Sequence, residues 1–152
     1  MLTFDEPTHT YRWNGQRVPS VTQLLQHLHS FASVPPGILL EAQQRGTYVH
    51  QMCVLYDQGE LDEEQNARVA GGLYVGYLAA WKRFIHDFAP NWDAIEERGY
   101  SKVHGFAGTK DRRGCFERRN PGSRWTCDIK TGKQSHRVWG LQTAAYRQID
   151  IE

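Results

Sequence analysis

The stretch HGFAGTKDRRGCFERRNPGSRWTCDIKTG, residues 104–132, holds two strand-favouring runs, HGFAGTKD and RWTCDIKTG, separated by a loop rich in Gly, Arg, Asn and Pro. This pattern predicts a hairpin. Side chains alternate faces along a strand, so Asp128 and Lys130 are expected on one face and Ile129 on the opposite, buried one. An Asp-x-Lys pair alone reads as a surface ion pair. Here it is accompanied: Asp111 is expected at the end of the first strand, three residues after Gly108, where the missing side chain admits another backbone or a ligand. Across the hairpin Asp111 falls beside Asp128, and two carboxylates converging at ~4–5 Å repel unless a cation lies between them. Carboxylates are hard ligands suited to Mg²⁺ or Mn²⁺, and the Lys130 ammonium can orient a water or stabilise charge on a phosphate oxygen.

Just upstream, AIEERGY (residues 94–100) reads as a strand that can pair with this hairpin, offering Glu96 or Glu97 as a third oxygen ligand or a base. Downstream, a closing helix from about His136 to Ile149 carries Val138, Leu141, Ala145 and Tyr146. The loop DRRGCFERRNPGSR brings Arg112, Arg113, Arg118, Arg119 and Arg124 between the two acid-bearing strands, where guanidinium forks can grip phosphates on either side of a cut. Charge is unevenly spread: residues 1–97 carry 6 Lys/Arg against 12 Asp/Glu, and residues 98–152 carry 12 against 5. The basic half is the part suited to a polyanion. Trp125 and Trp139 are candidates for stacking on unpaired bases, with ordinary burial as the competing reading.

The amino-terminal part has a different texture. THTYRWNGQRVPSVT predicts a small hairpin about Asn14-Gly15, a pair that tolerates positive φ at both centres of a type I′ turn, with Pro19 ending its second strand. Ser20 and Gln23 form a capping box for a helix with the stripe Val21, Leu24, Leu25 and Leu28, stopping near Ser30. After Pro35-Pro36-Gly37 a helix runs to about Tyr56, and a second is expected from about Asp62 to Phe88, where Gly71-Gly72 can divide it into two. The acidic group Asp57, Glu60, Asp62, Glu63 and Glu64 reads as a solvated turn with favourable charge at a helix start. The expected architecture is an α/β or α+β fold: one domain over residues 1–152, its hairpin and helical part at 1–92, its small central β-sheet and closing helix at 93–152.

Composition narrows the class. With 39% hydrophobic residues and five Trp, seven Tyr and six Phe among 152 residues, the chain can bury enough surface to fold. It has no apolar run of the ~20 residues needed to span a membrane, and MLTFDEPTHT lacks the order of a signal peptide, so the cytoplasm is the expected compartment. Cys53, Cys115 and Cys127 match neither a disulfide framework nor a zinc ribbon and are expected reduced. His9, His27, His29, His86, His104 and His136 show no ligand spacing.

Six segments appear in one order: His9-x-Tyr11 with PSVT, RGTYVH ending at His50, AIEE, GFAGTKD, CDIKTG and LQTAAY. In this order the chain resembles the PD-(D/E)XK nuclease superfamily, and within it the RecB-like exonucleases of phages and of recombination and repair systems. The resemblance implies an α/β fold with a restriction-endonuclease-like core, a small central mixed β-sheet flanked by helices, and with it a DNA substrate, Mg²⁺ or Mn²⁺, and a bacterial or phage-infected cell. It implies that His50, Asp111 and Asp128 hold metal, that Glu96, or its neighbour Glu97, binds metal or its water, and that Lys130 acts on the attacking water and the scissile phosphate. Gln142 and Tyr146, one helical turn apart, are implied to face the active site and the DNA strand. Longer relatives continue with strands after this helix, so part of the DNA surface is expected from a second copy or a recombination partner, unless this is a minimal version. The rival reading is a catalytically idle nuclease-fold module that binds DNA or a protein.

Overall fold

A computed structural model describes residues 1–28, 34–132 and 136–152, and is mixed α/β with two three-stranded antiparallel sheets and five helices. The first sheet contains β1 (Leu2–Asp5), β2 (Thr10–Trp13) and β3 (Gln16–Val18) in that order. Asn14 at φ +49° and Gly15 at φ +83° make the tight β2–β3 turn expected of that pair. β1 was not foreseen; it pairs along β2 from Leu2–Trp13 to Asp5–Thr10. Ser20 then caps α1 (Val21–Leu25): the Gln23 amide donates to Ser20 Oγ at 3.1 Å, and the Ser20 amide donates to Gln23 Oε1 at 2.9 Å. The expected end of this helix, Ser30, and His29 lie outside the described residues.

α2 (Pro36–Gln58) buries Val49, Met52 and Cys53 against Leu78 and Trp81 of α4 (Val75–Phe88). The long second helix is divided. α3 (Glu63–Arg68) starts from an Asp62 side chain that accepts the Gln65 amide, and a 3₁₀ turn at Val69–Gly72 separates it from α4. Gly71 and Gly72 both have positive φ, +63° and +83°, a conformation the interior of a right-handed helix does not contain. Among the described residues, no helix is long and apolar enough to cross a membrane.

β4 (Pro90–Ser101), β5 (Phe106–Phe116) and β6 (Asn120–Cys127) form the second sheet, with β5 in the middle. The expectation of a mixed sheet is corrected: its short connections reverse the chain each time, so both pairings are antiparallel. The parallel pairing among the described residues is the isolated bridge Ser20–Ala107, where the Ala107 amide donates to Pro19 O at 2.9 Å and ties the first sheet to β5. Tyr11 and Thr109 share a hydroxyl hydrogen bond of 2.6 Å, and Trp13 stacks on Tyr100 at 4.5 Å, which completes that junction.

α5 (Arg137–Ile151) starts from His136 and lies over β4 and β5. Its seat is a notch. Gly99 and Gly108 are direct cross-strand partners, and a Cβ on either would come within 2.4 Å of Ile149 or 2.6 Å of Tyr146. Two adjacent missing side chains therefore let α5 approach the strands closely enough for Tyr146 to pack with Val21 and Phe106.

A side chain at this notch should lift α5. Gly99→Val is expected to destabilise by about 1–3 kcal/mol, whereas Gly46→Ala, in α2 with open space around the position, should stabilise by roughly 0.5–1 kcal/mol. Urea unfolding midpoints at unchanged slope check both, and equal effects of the two changes would contradict the packing described.

Candidate active site

Three elements distant in sequence meet at one point. His50 from α2, Glu96 from β4 and Asp111 from β5 each bring a ligand atom to within 4.8 Å of the other two. Asp111 is in the middle of β5, not at a strand end, because pairing with β4 continues through Phe116. Glu96 falls between the pairs Ile95–Arg112 and Glu97–Lys110, so it sits opposite Asp111, and its φ of +52° is a left-handed conformation unusual for a side-chain-bearing residue. Of the two candidate glutamates, Glu96 joins the cluster. Glu97 instead lies 2.7 Å from Lys110 Nζ and 3.1 Å from Arg113.

The D-x-K segment departs from the expected geometry in one respect. β6 ends at Cys127, so Asp128, Ile129 and Lys130 lie past the ladder. They keep a strand-like alternation for a different reason: the Ile129 amide donates to Asp111 Oδ2 at 2.5 Å, while its side chain packs against the Val49, Cys53 and Trp81 cluster. Asp128 and Lys130 consequently emerge together, with Lys130 Nζ 2.6 Å from Asp128 Oδ2. Lys130 also donates to Gln142 Oε1 at 3.0 Å, and Gln142 Nε2 donates to Tyr146 Oη at 2.9 Å and to Asp128 Oδ1 at 3.4 Å. A cavity of about 250 Å³ is lined by Asp128, Lys130, Gln142 and Tyr146 together with the three-residue cluster, with the hydroxyl-bearing Ser20, Thr22 and Thr109 on its other walls.

His50 is locked in an informative way. Its Nε2 lies 3.0 Å from the Ile129 carbonyl, which can only accept, so Nε2 carries a hydrogen and donates. Nδ1 then faces Asp111 Oδ1 at 3.5 Å. A lone pair aimed at a carboxylate is unfavourable, so this position favours a proton or a metal ion on Nδ1. Burial lowers the imidazole pKa, but the Asp111 hydrogen bond, the Asp111 and Glu96 charges and the Ile129 carbonyl outweigh it and leave His50 above its ordinary value. Burial raises Glu96, as does the Asp111 charge, against opposing effects from His50 and Arg112. Burial likewise raises Asp128, with Lys130 pulling the other way. Arg112 lies 3.4 Å from Glu96 and Lys130 2.6 Å from Asp128, while among the described residues the Asp111 carboxylate is met only by His50 and the Ile129 amide; an imidazole nitrogen with carboxylate oxygens is a donor set that fits a divalent cation.

The arginines were assigned incorrectly in part. Arg112 has no exposed side-chain surface; its Nε is 2.6 Å from the buried Asp57 carboxylate and its guanidinium lies over Trp81. It therefore cannot reach a phosphate, and Asp57 is no member of a solvated turn. Arg113 is held by Glu97 and, at 3.5 Å, by Asp150. Arg118, Arg119 and Arg124 are exposed near the β5–β6 tip, bound respectively to the His86 carbonyl, over the Phe88 ring and 3.4 Å from Asp93. Arg118 and Arg119 follow the end of β5, and Arg124 pairs with Cys115, already roughly 13 Å along the extended strand from Asp111, so the structure does not bring them to the cluster. Trp125 packs against Phe116 near the same tip, and Trp139 is half-buried on α5; neither lines the cavity. The cysteines are free, with burial pushing Cys53 up to about 12 and Cys127 to about 11.

Sequence reasoning missed the Ile129 backbone as the hinge of the site, and the Arg112–Asp57 pair beneath it. Thr109, two residues before Asp111 and therefore on the same strand face, was legible by alternation alone. No family model, curated protein or solved structure matches this chain.

The raised His50 pKa has a definite consequence in metal-free protein. Below its unfolded value of ~6.5 the imidazolium is present in both states and its contribution to stability is complete; as pH rises through the higher folded value that contribution is lost. The stability difference between wild type and His50→Asn, measured by urea unfolding in chelator, should shrink as pH rises above the ordinary imidazole value of ~6.5. A difference that grows over that range would contradict the Nδ1–Asp111 arrangement.

Proposed function

We propose that the protein is a divalent-metal-dependent nuclease that hydrolyses DNA phosphodiester bonds, of the exonuclease type its motif order resembles. The observation that carries this reading is the convergence of His50, Glu96 and Asp111 within 4.8 Å, with the Lys130 ammonium in the same cavity. His50, Glu96 and Asp111 would hold the cation, with Asp128 at the edge of the set. When bound, a divalent ion supplies Lewis acidity to the phosphodiester and lowers the pKa of the attacking water.

The chain's own groups do the rest. Lys130, held between Asp128 and Gln142, presents an ammonium to the charge that builds on the phosphoryl oxygens. Asp128 keeps that ammonium in place, and burial raises its pKa above the ordinary carboxylate value, which makes it a better proton acceptor than an exposed carboxylate. Burial raises the Tyr146 pKa, so the phenol stays protonated and can accept from Gln142 while donating a hydrogen bond into the cavity. Water adds to phosphorus as the P–O ester bond breaks, and no covalent enzyme intermediate is required.

Activity on linear DNA is expected with Mn²⁺, more weakly with Mg²⁺ because an imidazole ligand suits the harder ion less well, and not in chelator. Asp111→Ala should abolish both Mn²⁺ binding by calorimetry and hydrolysis. Lys130→Ala should keep the metal and lose at least about a hundredfold in single-turnover rate. Retention of full rate by the Lys130 variant would remove its assigned role, and tight Mn²⁺ binding by wild type without hydrolysis of linear, circular or single-stranded DNA would favour the idle module.

A further inference from the structure

Beside the ligand cluster lies a second, larger cavity of about 460 Å³, between the β1–β2 turn, α2 and β4. It shares His9, His50, Glu96 and Thr109 with the first, and His50 and Glu96 are two of the three groups that converge on the cation position, so the two cavities meet there. A phosphodiester placed at the junction would direct one flanking nucleotide into each. We infer that the larger cavity seats one unpaired nucleobase, which makes a single-stranded or frayed DNA end the substrate. This rests on the nuclease reading and adds the strand form to it.

The lining suits a base better than a phosphate. Glu6 and Glu96 both border the cavity, and their charge opposes a second phosphate there, whereas a carboxylate and the nearby Gln51 amide can pair with the hydrogen-bonding edge of a base. The stacking partner is Arg98. Its guanidinium lies over the Phe4 ring, 4.6 Å from the centroid, and no carboxylate among the described residues forms an ion pair with it. A planar cation backed by an aromatic ring leaves its outer face for a base. His9 adds a second exposed ring, 5.0 Å from Phe4 and 5.9 Å from Tyr11, held at φ +48°, a strained backbone conformation for a residue with a side chain. A base still inside a duplex must be unpaired and unstacked before it can enter. Volumes of ~300–1,000 Å³ are typical of small-molecule sites, so one nucleotide fits and a base pair with its two backbones does not.

The test separates the base site from the nuclease reading. Binding is read in the Asp128→Asn chain with Mn²⁺, from the fluorescence of a single-stranded oligonucleotide bearing an aminopurine base and of the same sequence in a blunt duplex; hydrolysis is read in wild type. The single strand is expected to bind at least about tenfold more tightly, and Arg98→Ala to weaken it by roughly five- to a hundredfold, the range of one lost base stack, with Mn²⁺ affinity retained. His9→Ala should act in the same direction. Equal binding of single strand and duplex, or single-strand binding unaltered by both substitutions, would overturn the inference. A base response that depends on Arg98 without hydrolysis in wild type would support the cavity while removing the nuclease, and hydrolysis indifferent to Arg98 would do the reverse.

Discussion

The Asp111 carboxylate is the joint on which the site turns. One oxygen accepts the Ile129 amide and the other faces His50 Nδ1, while His50 Nε2 donates to the Ile129 carbonyl. These three contacts close a small ring between α2, β5 and the segment that follows β6. The β-ladder ends at Cys127, so nothing in the sheet's own hydrogen bonding would hold Asp128 and Lys130. A nearly buried carboxylate taking a backbone N–H substitutes for the missing ladder bonds, and charge-assisted bonds of this kind are about twice as strong as neutral ones. Because Ile129 is pinned at its amide and its carbonyl and anchored by its side chain, its two neighbours are obliged to point together into the cavity.

Asp111 is flanked by two more buried charges, Lys110 and Arg112, so three consecutive residues of the central strand are ionisable and almost inaccessible to water. Each has its own set of partners. Lys110 is paired with Asp150 of α5 and Glu97 of β4; Arg112 with Asp57 of α2. Buried pairs add little net stability over apolar replacements, but removing one member leaves an unpaired charge at a cost of about 3–5 kcal/mol. Their effect is to fix registry: α2 and α5 can each dock on β5 in one position only, and these are the helices that supply His50, Gln142 and Tyr146. Three basic groups of the second half of the chain, Lys110, Arg112 and Arg113, are spent on this docking, while Arg118, Arg119 and Arg124 stay exposed at the β5–β6 tip.

Local pattern was enough to read the Asn14-Gly15 turn, the Ser20 capping box, α2, the three strands of the second sheet and the closing helix, because each is decided by residues within a few positions of one another. The division at Gly71-Gly72 was legible as an option for the same reason. What local pattern could not supply was partnership across the chain. Arg112 and Arg113 look like surface cations until Asp57 and Asp150 arrive from elements 55 and 37 residues away in sequence. Glu96 is favoured over Glu97 on paper only by following Ile95 directly; the register of β4 on β5, which pairs Glu97 with Lys110, is what sets Glu96 opposite Asp111. The expected mixed sheet came from the family resemblance, whereas the short connections between β4, β5 and β6 already implied antiparallel pairing.

A fold gains nothing in stability from gathering Glu96, Asp111 and Asp128 in one half-enclosed place, nor from holding Glu96 at a φ that disfavours it by about 1–3 kcal/mol. Such costs persist where the surrounding structure over-determines them, and here α2, the paired strands and the Asp111–Ile129 joint do so. The His50 tautomer shows what the arrangement is suited to. With Nε2–H committed to a carbonyl, Nδ1 can take a proton or a cation, but not both, and its neighbours favour positive charge of either kind. On the proposed reading, protonation and metal occupancy therefore compete at one atom, and the site changes from a proton-stabilised cluster to a cation-stabilised one as pH rises through the His50 pKa. The close approach of Glu96 and Asp111, unfavourable in the bare protein, is then the source of its affinity for the ion.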